Sequence, residues 1–183
     1  MTAASFSDRS GLVVYESMFG CTAQIARAIG EGLADYLRVR VHDVQNGPPG
    51  KDAMPDLLVI GGPTHAFSMS RPRTRRDAIA QGGRLEFEDR GIREWIAQLP
   101  AGGTPSLAAT FDTRMRKARH LPGSAARAAA KRLRARDFRL ATEPESFTVE
   151  DIQGPVSDGE LTRARQWGQR LGIVLTSGAI THP

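Results

Sequence analysis

Residues 11–37 read GLVVYESMFGCTAQIARAIGEGLADYL, and the reading of this stretch decides the fold of the rest. It opens with a continuous apolar run, Gly11 to Glu16, which suits a strand buried on both faces of a sheet. It closes with a helical pattern from Cys21 to Leu37. There Ile25, Ala28, Ile29, Leu33 and Leu37 keep three- and four-residue spacing and form one apolar stripe. A buried strand that passes through a short turn into an amphipathic helix starts an alternating strand–helix chain, the pattern of a parallel sheet.

Further strands follow at the expected intervals. Arg38 to Val44 alternates Val39 and Val41 with arginines, as an edge strand does, and the turn NGPPGK ends it. Asp56 to Gly61 (DLLVIG) is apolar throughout and therefore central. A fourth strand is expected over Ser106 to Phe111. A fifth is expected from Phe138, interrupted at Pro144 and resumed from Ser146 to Val149. Helical pieces are predicted over Thr74–Gln81 and Asp89–Leu99. A longer helix is predicted over Ala125–Arg136, introduced by Pro122-Gly123 and with Ser124 as its N-cap. The last helix opens with Ser157-x-x-Glu160, a capping-box spacing, and is expected to close at Gly172. Residues 1–10 read as a flexible N-terminus, 11–175 as one domain and 176–183 as a C-terminal tail. The class is α/β, a three-layer doubly wound parallel sheet, in which ligands sit outside the carboxyl ends of the strands.

The chain has 183 residues, 40% of them apolar, enough for one well-filled core. Its one cysteine, Cys21, excludes a disulfide framework and any multi-cysteine zinc or iron–sulfur site, and fits a reducing, cytoplasmic setting. No signal peptide or membrane span is evident in the apolar pattern. The formal charge of +5 is unevenly placed. Between Arg114 and Arg139 stand ten basic residues and one acid, Asp137, whereas residues 143–160 hold six acids and no lysine or arginine, so a dipolar molecule is expected. The basic stretch contains a single aromatic residue, Phe138, and this argues against nucleic acid as its partner. The segment from Thr74 to Leu99 is long enough to offer a homodimer face.

Three loops at the carboxyl ends of strands carry the chemistry. The first, Glu16 to Thr22, runs directly into a helix. Its hydroxyls at Ser17 and Thr22, its glycine at position 20 and the amides of a helix start make a nest for an anion. Neither GxxxxGK[ST] nor GxGxxG is present, so a phosphate monoester fits better than a nucleoside triphosphate or a dinucleotide. The second loop, residues 61–72 (GGPTHAFSMSRP), combines a rigid turn with the hydroxyl of Thr64 and the planar groups of His65 and Phe67, a set suited to a flat ligand. The third, Phe111-Asp112-Thr113-Arg114, adds an acceptor and a hydroxyl on the same edge.

VVYESMFGCTAQIA, GGPTHAFSMSR and FDTR together resemble the flavodoxin family over nearly the whole chain, and most nearly the flavodoxin-like FMN-binding proteins of actinomycetes. The resemblance implies strand order 2-1-3-4-5 and FMN as cofactor. By it, Ser17, Gly20, Cys21 and Thr22, with the amide of Phe19, would hold the phosphate. Pro63, Thr64, His65, Ala66 and Phe67 would lie along the isoalloxazine, and Phe111, Asp112 and Thr113 would close its pyrimidine side. Phe19 stands where flavodoxins usually place a threonine, and His65 where many place a stacking tryptophan. No tyrosine follows the fourth strand, so stacking is thinner than usual.

The resemblance implies electron transfer or a small FMN-dependent, quinone-reductase-like oxidoreductase. A redox partner protein or NAD(P)H would be the donor, a small molecule could be the acceptor, and no side chain need be catalytic. Arg71, Arg73 and Arg114 are expected on the rim, where positive charge would raise a flavin's potential. The alternative is a flavodoxin-fold binding protein without flavin that uses its arginine-rich face for an anionic partner.

Overall fold

A computed structural model describes residues 8–86, 88–100 and 107–177. Its strands are β1 (Ser10–Tyr15), β2 (Arg38–Asp43), β3 (Leu57–His65), β4 (Ser68–Met69), β5 (Leu107–Met115), β6 (Arg139–Leu140) and β7 (Glu145–Val149). Its helices are α1 (Cys21–Leu33), α2 (Pro72–Ala80), α3 (Ile92–Ala97), α4 (Ala125–Arg134) and α5 (Glu160–Ser177). The sheet runs β2-β1-β3-β5-β6, with β7 also paired to β5 and all of these pairs parallel. Since β6 and β7 are two pieces of one interrupted strand, the expected order 2-1-3-4-5 is present, broken where Pro144 was expected to break it.

The alternation of side chains along the central strands builds both cores. Val13, Leu57 and Val59 face one layer with Ile25, Ile29, Leu33, Trp167 and Leu171 of α1 and α5. Leu12, Val14, Leu58 and Ile60 face the other with Trp95, Ile96, Ala129 and Leu133 of α3 and α4. Period-two strands buried on both faces read as continuous apolar runs, and for that reason GLVVYE and DLLVIG were decisive. Helices α1 and α5 cross at backbone contact, since a Cβ on Gly32 or Gly168 would overlap the facing helix's main chain.

Several local expectations are corrected. Helix α1 ends at Leu33, and Leu37 instead covers Gly11 from outside the helix. No capping box forms at α5. The Glu160 carboxylate accepts from the Thr148 amide at 2.7 Å and from Arg163, while the Ser157 hydroxyl is buried without a partner. Helix α5 also continues past Gly172 to Ser177, because Gly172 is a packing glycine whose Cβ would lie 2.6 Å from the Tyr36 ring. Ser10 belongs to β1, with its amide 2.7 Å from an Asp56 carboxylate oxygen. The other parts of the expected terminal segments, 1–7 and 178–183, lie outside the described residues, as does Ser106. Among the described residues no helix is long and apolar enough to cross a membrane.

Ion pairs offset the expected dipole only in part. Of the six acids between 143 and 160, Glu145 and Glu160 share Arg163, and Glu150 lies 3.6 Å from Arg116 of the basic stretch.

Candidate functional site

The turn after β1 is shaped for an anion. Gly20 has φ 92°, open to glycine at little cost, and this turns the chain into α1. The Ser17 hydroxyl accepts the Gly20 amide at 3.1 Å and the Ala23 amide at 3.3 Å, so it fixes the loop from inside. Among the described residues the amides of Phe19, Cys21 and Thr22 have no hydrogen-bond partner. They stand at the positive end of a 13-residue helix.

That turn opens on a cavity of about 450 Å³, within the range of small-molecule sites. Ser17, Phe19, Cys21 and Thr22 form one end of it. Pro63, Thr64, His65, Ala66 and Phe67 line it from β3 and the turn that follows, and Thr113, Arg114 and Met115 line it from the neighbouring β5, with Leu121 beyond. The Thr22 and Thr113 hydroxyls are 2.8 Å apart and tie the phosphate-type turn to β5.

The wall at 63–67 differs from the expected loop. β3 continues to His65 and returns through β4, with Thr64 opposite Met69 and His65 opposite Ser68. Ala66 (φ 46°) and Phe67 (φ 65°) form the two-residue turn between them. Both are left-handed, a geometry that asparagine and glycine adopt more easily. The turn is braced from outside. Thr64 Oγ1 accepts the Ala125 amide at 2.9 Å, and Gly123, itself at φ 80°, packs against Phe67. Arg114 holds the bracing loop by donating to the carbonyls of Arg119, Leu121 and Gly123. Replacing Ala66-Phe67 with Asn-Gly is expected to raise stability by about 1–3 kcal/mol. The same change should weaken ligand binding, because Phe67, 56% exposed at the cavity mouth, is lost. Denaturant midpoints and ligand titrations on the same variant check both halves.

Three predicted site residues, Gly20, Phe111 and Asp112, are not in the cavity lining. FDTR lies inside β5, which runs to Met115, so Phe111 and Asp112 sit deeper along the strand than the lining Thr113, Arg114 and Met115. Phe111 is fully buried among Phe147 and Trp167, with ring centroids 6.3 and 6.4 Å away. Asp112 is buried too, accepting the Ala126 amide at 3.0 Å at the start of α4 and standing 3.8 Å from Arg114. Both are structural. Of the three arginines expected on the rim, only Arg114 lines the cavity, and Asp112 and three carbonyls take up its charge.

Sequence reading missed Thr74, Asp77 and Ala78 of α2 and Gln81 at its C-cap, together with Val149 at the end of β7 and Ile152 after it. The last two follow from the rule that ligands gather at carboxyl ends of strands, since β7 ends there. Nothing in the sequence of α2 places it against the turn after β1. That docking is a backbone matter, with the Arg84 amide bonded to the Met18 carbonyl at 2.8 Å.

Two titratable groups line the cavity with shifted behaviour. Burial raises the Cys21 thiol, so the activation expected of a helix start does not arise. Burial, and secondarily the Arg75 charge, lowers His65 and keeps the imidazole neutral at pH 7. Its folded value lies below the ordinary 6.5, so the unfolded chain takes up the proton first. The stability it contributes is present above that value and is lost as pH falls through the folded one. His65→Gln should flatten this acid arm, seen as a smaller drop in thermal midpoint between about pH 7.5 and about pH 5.5.

No family model and no curated protein matches the chain. Solved structures do. An archaeal flavodoxin superposes with TM-score 0.62 at 18% identity, covering 91% of this chain and 99% of its own. Flavodoxin 2 from Bacillus cereus gives 0.58 at 18%, covering 93% and 99%. A flavodoxin, WrbA-like protein from Agrobacterium tumefaciens gives 0.57 at 17%, again covering 93% and 99%. The chain therefore has the flavodoxin-family fold.

Proposed function

We propose that this chain binds FMN in the cavity and acts as a flavin-dependent electron-transfer protein. One observation carries the reading: unpartnered helix-start amides at Phe19, Cys21 and Thr22 stand at a cavity to which Met18, Pro63, Ala66, Phe67, Met115 and Leu121 give a largely apolar surface. A phosphate monoester suits the amides, and a flat ring system suits the space between the 63–67 turn and β5. The fit is met without cationic side chains in the turn. FMN, when bound, supplies the redox chemistry.

The protein's own part is to bind, orient and exclude water. Ser17 holds the anion-binding turn in shape, and Thr22 and Thr113 lock it to the sheet. The neutral His65 offers one N–H or one acceptor to a ligand without adding charge. An electron donor of the NAD(P)H or partner-protein kind and a cytoplasmic setting, in keeping with a single unpaired cysteine, complete the proposal. Equilibrium dialysis against FMN and riboflavin tests it. FMN should bind at least about tenfold more tightly, since only it reaches the amides. Equal affinity for the two would contradict a phosphate role for the turn.

A further inference from the structure

Helix α4 packs Ala125, Ala126, Ala129, Ala130 and Leu133 on the sheet. Its exposed positions are Arg127, Lys131, Arg132 and Arg134, all cationic. No carboxylate among the described residues pairs with any of them. The elements beside α4 repeat the pattern. Arg93 of α3 is held in place by donating to the carbonyls of Met69 (3.1 Å) and Ser70 (3.3 Å), and lies 3.5 Å from the Ser68 hydroxyl. Burial, then the nearby Arg132 and Arg71 guanidinia, lower the Arg93 pKa. Glu94 is the nearby acid, and it is engaged by the buried Arg75.

Gathering like charges from three elements costs free energy, and an anionic surface laid across them would offset that cost. The band also has a direction. Arg93 is fixed on β4, the strand that returns from the Ala66-Phe67 turn, and the first turn of α4 is bound by Thr64 and Asp112 beside the cavity. At that end stand Phe67, 56% exposed, and Leu121, 48% exposed, which both line the mouth. Exposed apolar side chains next to arginines are the make-up of a protein interface. The aromatic platforms that single-stranded nucleic acid requires are missing from α4.

We propose that the face formed by α4, Arg71 and Arg93 docks an acidic partner protein, with Phe67 and Leu121 as the apolar contact beside the cavity mouth. Docking itself does not depend on FMN. Only the purpose of bringing a redox partner to the cavity rests on the proposed function.

The probe is a fluorescent poly-glutamate peptide, measured by anisotropy on the full chain with and without FMN. Binding should weaken steeply with salt and fall at least about tenfold in Arg93→Glu/Arg132→Glu. The same charge change in Arg27→Glu/Arg170→Glu, on α1 and α5 of the opposite layer, should cost much less. Equal losses in the two double variants would overturn the proposal, because attraction would then follow net charge alone. Tighter binding of an oligothymidylate at the same arginines would also overturn it, in favour of nucleic acid. FMN affinity is read separately on each variant, so loss of the flavin reading leaves the peptide result standing.

Discussion

Ser17→Asp is expected to lower FMN affinity by about 100-fold while leaving riboflavin affinity and folding intact. The carboxylate can take over the hydroxyl's role as acceptor for the Gly20 and Ala23 amides, and aspartate is at least as good as serine at a helix start. It thereby puts a negative charge in the nest that the phosphate must enter. Two unit charges about 4 Å apart interact by about 4 kcal/mol at a partly screened site, and about two-thirds of that gives the expected loss. Ser17→Ala is the control. It removes the acceptor of the Gly20 and Ala23 amides at about 1 kcal/mol of stability but adds no charge, so FMN binding should fall only a few-fold. Calorimetric titrations with FMN and riboflavin, beside a thermal melt, separate the two effects.

The second large effect is structural. Glu16, at the end of β1, accepts from the Ser70 hydroxyl at 2.5 Å and the Ile92 amide at 3.0 Å, and burial raises its pKa despite both bonds. Arg75, 0% exposed, donates to the Ser70 hydroxyl and the Glu88 carbonyl and pairs with Glu94 at 3.1 Å. This network fastens the start of the anion-binding turn to β4, α2 and α3. Arg75→Met should cost about 3–5 kcal/mol, because the buried Glu16 and the half-buried Glu94 then lose their counter-charge. Arg75→Lys should recover only part of it, since one ammonium cannot reach the Glu88 carbonyl, the Ser70 hydroxyl and Glu94 together. Urea midpoints at constant slope measure both.

The sheet was legible because its strands are buried on both faces. GLVVYE and DLLVIG admit few other readings, and the strand break at Pro144 was written in the chain. Two of the loops were legible for what they contain, since Ser17 to Thr22 and Pro63 to Phe67 do meet at one cavity. The third was misread because a strand's end is set by its neighbours. β5 pairs with β7 as far as Met115, and that carries Phe111 and Asp112 into the core. The hairpin at Ala66-Phe67 was invisible for a related reason: neither residue favours a left-handed turn, and only the bracing by Gly123 and Thr64 holds it. The failed capping box shows the same competition, with Arg163 and the Thr148 amide taking Glu160 away from Ser157.

A visible-absorption titration of the purified chain with FMN tests most directly whether the cavity holds a flavin. Saturable one-to-one binding, with a shifted flavin band and quenched fluorescence, is the predicted result. Absence of any binding at high micromolar FMN, in protein shown to be folded, would contradict the assignment of the cavity to a flavin.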